Sequence, residues 1–387
     1  MLENALQGSR RYWAWIGFVL LLILTGAVAY YFQYRDGLSV TGLSRDVSWG
    51  FYIAQFTFMV GVAASAVMVV LPYYLHDYKA FGKVTILGEF LAIPAVLLCM
   101  LFIVVDLGQP QRLLNLFLHP SPNSVMFWDT IALMGYLLLN IVISQVTFGA
   151  ERKGIAPPRW IKPVIILSIP WAVSIHTVTA FLYSGLEARP FWMTAILAPR
   201  FLASAFASGP SLLIILCLLV RKVSKFDPGK EAIQKLGQIV TYAMAINIFF
   251  VLVEVFTAIY SDMPHHTHAF EYLLLGLHGG EYSALVPWMW TSQILAVGAL
   301  ILLLIPRVRA REGILVVLCV AVIVAIWIEK GMGMVVTGFI PNPLGDVTEY
   351  APTLNEVLIV LGVYGIGMLI ITGLYKIAIS IRERLDS

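Results

Sequence analysis

VTILGEFLAIPAVLLCMLFIVV, residues 84–105, carries a single charged side chain, Glu89, in twenty-two residues. A helix needs about 20 apolar residues to cross a bilayer, so this run is long enough to span one. Nine more runs of the same kind follow from the same reading, near 13–32, 48–75, 126–148, 163–184, 199–220, 235–260, 286–305, 313–337 and 354–379. The composition agrees. The chain has 387 residues, 60% of them hydrophobic and only 12% charged, with a mean hydropathy of +0.86. A soluble domain carries about 25% charged residues, and half that number cannot coat a water-facing surface. The sequence therefore predicts an all-α polytopic membrane protein with about ten transmembrane helices. It excludes a soluble enzyme, a nucleic-acid binder and a disordered scaffold. A membrane β-barrel is excluded too, because barrel strands alternate in short segments.

Lys and Arg are distributed unevenly between alternate connections. Nineteen fall at the N-terminus, in the even-numbered connections and in the C-terminal tail, whereas Arg35, Arg45, Arg112, Arg189 and Arg200 make five on the other side. Lys330 lies within a span. The positive-inside rule then places both termini in the cytoplasm, and the clean alternation supports an even number of spans. Ser9-Arg10-Arg11 ahead of an apolar run is similar to a twin-arginine export signal, with Ala27-Val28-Ala29 as a candidate cleavage site. The run is longer than a usual signal h-region, so the first helix is expected to be retained. Outer connections (106–125, 185–198, 261–285, 338–353) are long and proline-containing, which suits either a docking surface or caps over the bundle.

Charge inside a bilayer is costly, so the polar residues in the spans must face the bundle interior or water. These are Glu89, Asp106, Asp129, His176, Glu254, Glu329 and Glu356. Span direction puts Asp106 at the outer end of the third span, Asp129 one turn below the surface in the fourth and His176 in the outer half of the fifth. A histidine and carboxylates at one depth suit a quinone headgroup, whose two carbonyl oxygens are hydrogen-bonded and protonated on reduction. A His–Asp pair that only packs helices together satisfies the same pattern. Glu254, Glu329 and Glu356 read either as a second proton-handling group or as partners of Arg200 and Lys330. His265, His266 and His268 form an HHxH tract, but without carboxylate or Cys spacing it reads as solvent-exposed loop. Cys99, Cys217 and Cys319 lie far apart in apolar runs with no CxxC, which supports neither zinc nor an iron–sulfur cluster.

Short runs of small residues mark helix contacts: Gly61-Val62-Ala63-Ala64-Ser65-Ala66 and Ala203-Ser204-Ala205-Phe206-Ala207-Ser208-Gly209. About four spans separate them, which hints at two related four-helix units. Two rival functions remain open on these residues. A proton-coupled secondary transporter would use the same acids for its coupling ion, but such proteins often have paired breaks at mid-membrane, and the second, fourth, seventh and ninth spans show no paired mid-span proline breaks. A haem b-bearing membrane anchor needs histidine pairs from facing helices, and only His176 is clearly intramembrane.

Several stretches together resemble the NrfD/PsrC family of quinone-interacting membrane subunits, in its ten-span HybB/DsrP branch. They are Ser48-Trp49-Gly50, Asp106-Leu107-Gly108-Gln109-Pro110, Asn123-Ser124-Val125-Met126-Phe127-Trp128-Asp129, His176 with Phe181-Leu182-Tyr183-Ser184-Gly185, Pro190-Phe191-Trp192, and Ala351-Pro352-Thr353-Leu354-Asn355-Glu356. The resemblance covers nearly the whole chain. It departs from the family pattern at Ser48, where proline is usual, and at Gln109, where arginine is common.

The resemblance implies a first segment and span (1–47), a four-helix bundle with the quinone site (48–184), a second bundle (185–337), and an outer loop, last span and tail (338–387). It implies menaquinone as bound substrate, with no haem or iron–sulfur cluster in this chain. The implied partners are an outer-face ferredoxin-like iron–sulfur subunit, a multihaem cytochrome c and cytochrome b-type subunits, in a prokaryotic cytoplasmic membrane and without nucleic acid. A role in sulfur metabolism and proton translocation follow as expectations. Asp129, His176, Asp106, Trp128 and Tyr183 are the expected quinone-binding residues. Glu89, Asn140, Gln145, Glu254, Glu329 and Glu356 are the expected proton-transfer residues.

Overall fold

The computed structural model describes residues 7–76 and 78–385; the side chains of Ser65, in the first small-residue run, and of 383–385, with Arg384 of the basic tail, lie outside what is described. Ten helices are long and apolar enough to cross a membrane. They are α1 (Arg10–Asp36), α2 (Phe51–Leu75), α3 (Gly82–Asp106), α4 (Val125–Arg152) and α5 (Ile161–Ser184). The second half adds α6 (Leu197–Val223), α7 (Lys230–Tyr260), α8 (Val286–Leu304), α9 (Glu312–Thr337) and α10 (Leu354–Arg382). Among the described residues there is no β-strand, only one isolated bridge between Leu277 and Tyr282. Each expected span is present, and most run a few residues further than the apolar pattern. Thus α4 continues to Arg152 and α7 begins at Lys230, because a helix can carry on into the interfacial layer while its long cationic side chains reach water.

Helices α2, α3, α4 and α5 contact one another in succession, and α5 closes back on α2; α6, α7, α8 and α9 do the same, with α9 closing on α6. The two rings meet where α2 packs against α6 and against the irregular turn of α9. Outside them α1 lies on α10, which lies on α3. Burial follows this plan: 94% of the apolar window of α2 is buried, against 22% of that of α1. Lipid tails are as apolar as leucine, so close packing rather than water exclusion holds such helices together. A Cβ placed on Gly26 of α1 would lie 2.5 Å from the Cα of Gly362 in α10. The backbones touch there, and no side chain fits between them. The two small-residue runs also meet face to face across the joint between rings: a Cβ on Gly61 would sit 3.5 Å from the Cα of Ala205.

Two spans are irregular. The α2 helix tightens into a 3₁₀ turn at Ala64–Ala66. The α9 helix opens into a π turn at Glu329–Gly333, where Gly331 (φ −81°, ψ −107°) leaves helical geometry. Neither break contains proline, which is why a search for proline breaks does not find them. The connections 107–124, 185–196, 261–285 and 338–353 share one face, here called the loop-rich face; the shorter, basic connections lie on the other. On the loop-rich face Glu349 ties two loops together by accepting from Ala284 N (2.8 Å) and the Tyr272 hydroxyl (3.4 Å).

The start of α10 shows how local sequence fixes a terminus. Thr353 is its N-cap: the Thr353 N–H donates to Glu356 Oε2 (2.8 Å), and the Glu356 N–H donates to Thr353 Oγ1 (3.3 Å). This reciprocal pair is a capping box. Glu356 further accepts from the Gly42 N–H (2.8 Å) and from the Tyr350 hydroxyl (2.6 Å). The carboxylate therefore pins the 350–353 and 41–43 loops to one helix end. Burial, with Glu356 beside it, raises the Tyr350 hydroxyl well above the usual tyrosine pKa, so it acts as a donor in that set.

Candidate functional site

Four aromatic rings close the loop-rich end of the first ring of helices. Trp49, the residue before Gly50 and the start of α2, stacks on Trp192 at a centroid distance of 5.8 Å and 27°. Tyr183 from α5 and Phe339 from the loop after α9 meet Trp49 edge-on at 5.5 Å and 5.9 Å. The approach is close enough to require glycine at 338, because a Cβ there would fall 2.0 Å from the Trp192 ring.

Above this cluster lies an open pocket of about 500 Å³ lined by Ser48, Trp49, Gly185, Leu186, Glu187, Ala188, Arg189 and Phe339. The Arg189 guanidinium stands 4.4 Å from the Phe339 ring centroid. One of its terminal nitrogens is buried without a hydrogen-bond partner. Burial lowers the Arg189 pKa from its ordinary value and nearby Asp46 raises it, but a guanidinium stays charged. The pocket therefore offers one face of the Trp49 ring, a wall formed by Phe339 at right angles to it, and one uncommitted charged donor.

Below the rings, a polar line leads inward. The Tyr183 hydroxyl lies 2.5 Å from Thr57 Oγ1, and the Thr57 hydroxyl donates to the Ile53 carbonyl at 2.8 Å. Thr57 has one hydroxyl proton, already committed, so Tyr183 donates and Thr57 accepts. Thr57 also lines a second, small cavity of about 10 Å³ between the two rings, together with Phe58, Gly61, His176, Phe201, Ser204, Ser208, Ile326 and Lys330. That is the room of one water molecule. His176 is 1% exposed. Its Nδ1 lies 3.3 Å from the Ala172 carbonyl, and its Nε2 is buried with no partner.

Asp129 is buried one helical turn away, where its Oδ1 accepts from the Thr179 hydroxyl at 2.7 Å. Thr179 and His176 stand three residues apart on α5, so Asp129 and His176 border the same stretch of that helix without a mutual hydrogen bond. Asp106 sits on a different side of α3. Its Oδ1 is buried and unpartnered, near Glu356 and next to Val105, whose carbonyl accepts from Gln33 Nε2 (2.6 Å). Neither of the two cavities is lined by Asp106, Asp129 and His176 together. Tyr183 is the link, since both carboxylates are within electrostatic reach of its hydroxyl. Trp128 is half exposed on the outside of the bundle. With Trp171, Leu167 and Pro170 it borders an apolar cleft of about 430 Å³ between α4 and α5.

The expected proton-transfer residues separate into groups. Glu89 is buried near the basic face with Oε1 unpartnered, close to Tyr74, Tyr136 and Glu151. Glu151 in turn accepts from Arg382 Nε at 2.7 Å. Asn140 is buried and donates to the Tyr136 carbonyl (2.8 Å). Gln145 is exposed, about 140° round the α4 surface from Asn140 by the helical period; it does not face the interior that holds Glu89 and Asn140. Glu356 has its oxygens occupied by the loop contacts described above. Glu254 and Glu329 are ion-paired with Arg200, whose Nη2 lies 2.6 Å from Glu329 Oε1. Lys330 Nζ is 2.9 Å from the same oxygen and Asn247 donates to Glu329 Oε2 at 3.2 Å.

Trp49, Arg189, Phe339 and Lys330 were not singled out as site residues by sequence reasoning. A cue exists for two of them. Trp49 opens a span beside a glycine, and Arg189 is the only cation between residues 185 and 198. The HHxH tract lies at the start of the short helix Pro264–Leu274, where burial, with His265 adjacent, lowers the His266 pKa. No group of three His, Cys, Asp or Glu side chains among the described residues is arranged to hold a metal ion.

Comparison with known proteins agrees with this plan. The chain is 25% identical to a putative dimethyl sulfoxide reductase membrane protein of Halobacterium salinarum, over 92% of this chain and 89% of that protein. It is 24% identical to the Hdr-like menaquinol oxidoreductase integral membrane subunit of Archaeoglobus fulgidus, over 68% of this chain and 65% of the relative. It is 21% identical to the menaquinone reductase integral membrane subunit of Nitratidesulfovibrio vulgaris, over 77% and 75%. Residues 39–337, which run from the loop before Trp49 through the π turn of α9, match the family Polysulphide reductase, NrfD. This ten-helix membrane chain belongs to the NrfD family.

Proposed function

We propose that this chain is the quinone-reacting membrane subunit of a respiratory complex, exchanging electrons between menaquinone and a ferredoxin-like iron–sulfur subunit docked on the loop-rich face. The positive-inside bias makes that face the outer side of a prokaryotic cytoplasmic membrane, with both termini inside. The observation that carries the reading is the pocket beneath that face. Its volume of about 500 Å³ lies in the usual range for small-molecule sites. The face of Trp49 turned away from Trp192 suits stacking by a flat naphthoquinone, the Phe339 ring closes one side edge-on to it, and Arg189 offers an N–H for a carbonyl oxygen. The apolar cleft beside Trp128 and Trp171 suits an isoprenoid tail. Two relatives bear names that include menaquinol or menaquinone, which supports the same substrate.

Quinone chemistry moves two electrons and two protons per headgroup. The rings and Arg189 orient the headgroup, and the Tyr183–Thr57 pair carries a proton between pocket and interior. Asp129, held by Thr179, is a second proton holder beside that line. Glu89 and Asn140 reach toward the basic face and extend the proposal to proton translocation, with Gln145 outside the route. The assembly proposed from the HybB/DsrP-like branch also includes a multihaem cytochrome c and a cytochrome b-type partner, with sulfur metabolism as its setting.

The test is menaquinol turnover by the co-purified complex. Asp129→Asn and His176→Ala are each expected to lower kcat by about a hundredfold, the scale of a lost acid–base group, while the subunits still co-purify. Wild-type rates in both variants would remove Asp129 as proton holder and His176 as the acid–base group proposed beside it for the quinone headgroup.

A further inference from the structure

The small cavity between the rings has two titratable side chains on its wall, one from each bundle: His176 of α5 and Lys330 at the π turn of α9. His176 Nε2 is buried with no partner, so it is available as an acceptor when Nδ1–H donates to the Ala172 carbonyl. Lys330 is 2% exposed. An ammonium has three donors, and the ion pair with Glu329 uses one of them. An unused acceptor and a donor with capacity to spare thus border a space of about 10 Å³, which is the size of one water with polar partners on two sides. The π turn is what turns Lys330 toward the joint between rings. An unbroken helix would place it differently relative to Glu329, its neighbour in sequence, and π turns recur at functional sites.

We propose that this cavity binds a single water that passes a proton between Lys330 and His176, coupling the second bundle to the quinone pocket of the first. The inference rests on the quinone reading above. The proton leaves Lys330 Nζ for the water, and the water gives one of its own to His176 Nε2. The ammonium becomes an amine, the imidazole becomes imidazolium, and the net charge of the pair stays at plus one. Thr57 lines the same cavity and accepts from Tyr183, so the cavity that His176 borders adjoins the inner end of the line that serves the pocket. While Lys330 is neutral, Glu329 keeps Arg200 and Asn247 as partners, and the cluster's net charge of minus one is offset by the imidazolium across the cavity. Lys330 touches no substrate and is a relay residue.

Two substitutions separate a relay from a structural lysine. Lys330→Arg keeps the charge beside Glu329, but arginine does not release its proton at accessible pH. A structural role predicts that Lys330→Arg restores what Lys330→Met loses. The relay predicts that kcat for menaquinol falls at least about tenfold in both, with KM unchanged. Gly61→Ala covers the case in which neither lysine variant assembles. A Cβ there meets Ala205 and Ser208 at 3.5–3.7 Å, ordinary contact distances, so the fold is retained while a methyl group takes the space of the water. The expected result is a co-purifying complex with kcat lowered severalfold and an enlarged solvent deuterium isotope effect. Wild-type kcat and isotope effect in Gly61→Ala, alongside an active wild-type complex, would overturn the relay and leave the quinone assignment standing. A wild-type complex that does not turn over menaquinol would instead sink that assignment.

Discussion

The two bundles treat buried ionisable groups in opposite ways. In the first, Asp129 and His176 are buried without an opposite charge, Glu89 feels Arg382 but forms no ion pair with it, and Glu89 and His176 each have an atom with no partner. In the second, Arg200, Glu254, Glu329 and Lys330 form one ion cluster with no net charge, held on α6, α7 and α9. A lone group can take up or release a proton without breaking an ion pair. A paired cluster resists change, because removing one member leaves an uncompensated charge in the bilayer. The first arrangement suits proton exchange and the second suits fixing three helices and an irregular turn. Lys330 belongs to the second cluster yet also faces the cavity of the first.

Arg200→Met gives the largest expected effect and tests the fixed half of this contrast. It strands Glu254 and Glu329, and breaking a buried pair costs about 3–5 kcal/mol. The outcome is loss of folded chain, read as the yield and thermal unfolding of the detergent-solubilised protein. A variant as stable as the wild type would dissolve the distinction between the bundles. Glu356→Gln is expected to act less strongly. It weakens the capping box and the contacts to Gly42 and Tyr350, for about 1–2 kcal/mol, and lowers the unfolding temperature with menaquinol turnover kept. A loss of turnover without loss of stability would return Glu356 to proton transfer. Gln145→Leu is expected to change neither stability nor turnover measurably, since the side chain is exposed. A selective fall in proton translocation would put it back into the route from Glu89.

The fold was largely legible because each span announces itself locally, as an apolar run with charge at its ends. Helix ends were less so, since α4 and α7 continue into residues such as Arg152 and Lys230 that no longer look apolar. The site was legible in its residue types and less so in its groupings. Asp129 and His176 could be placed at one depth from span direction alone. Asp106 shares that depth but faces α1 and α10, and depth says nothing of azimuth. The pocket wall comes from three distant segments, at Trp49, Arg189 and Phe339, which no spacing connects. The pairing of Arg200 with Glu254 and Glu329 is equally long-range, and in sequence it was one of two open readings. The small-residue runs gave the opposite lesson: they marked close approach correctly, but their partner was each other.

The central claim is that the quinone headgroup binds under the loop-rich face, against Trp49. Photolabelling of the intact complex with an azido-menaquinone, followed by peptide mapping, tests this most directly. Adducts are expected on peptides containing Trp49, Arg189 or Phe339, suppressed by excess menaquinone and lost in Trp49→Ala. Adducts confined to the second bundle and indifferent to Trp49→Ala would contradict it.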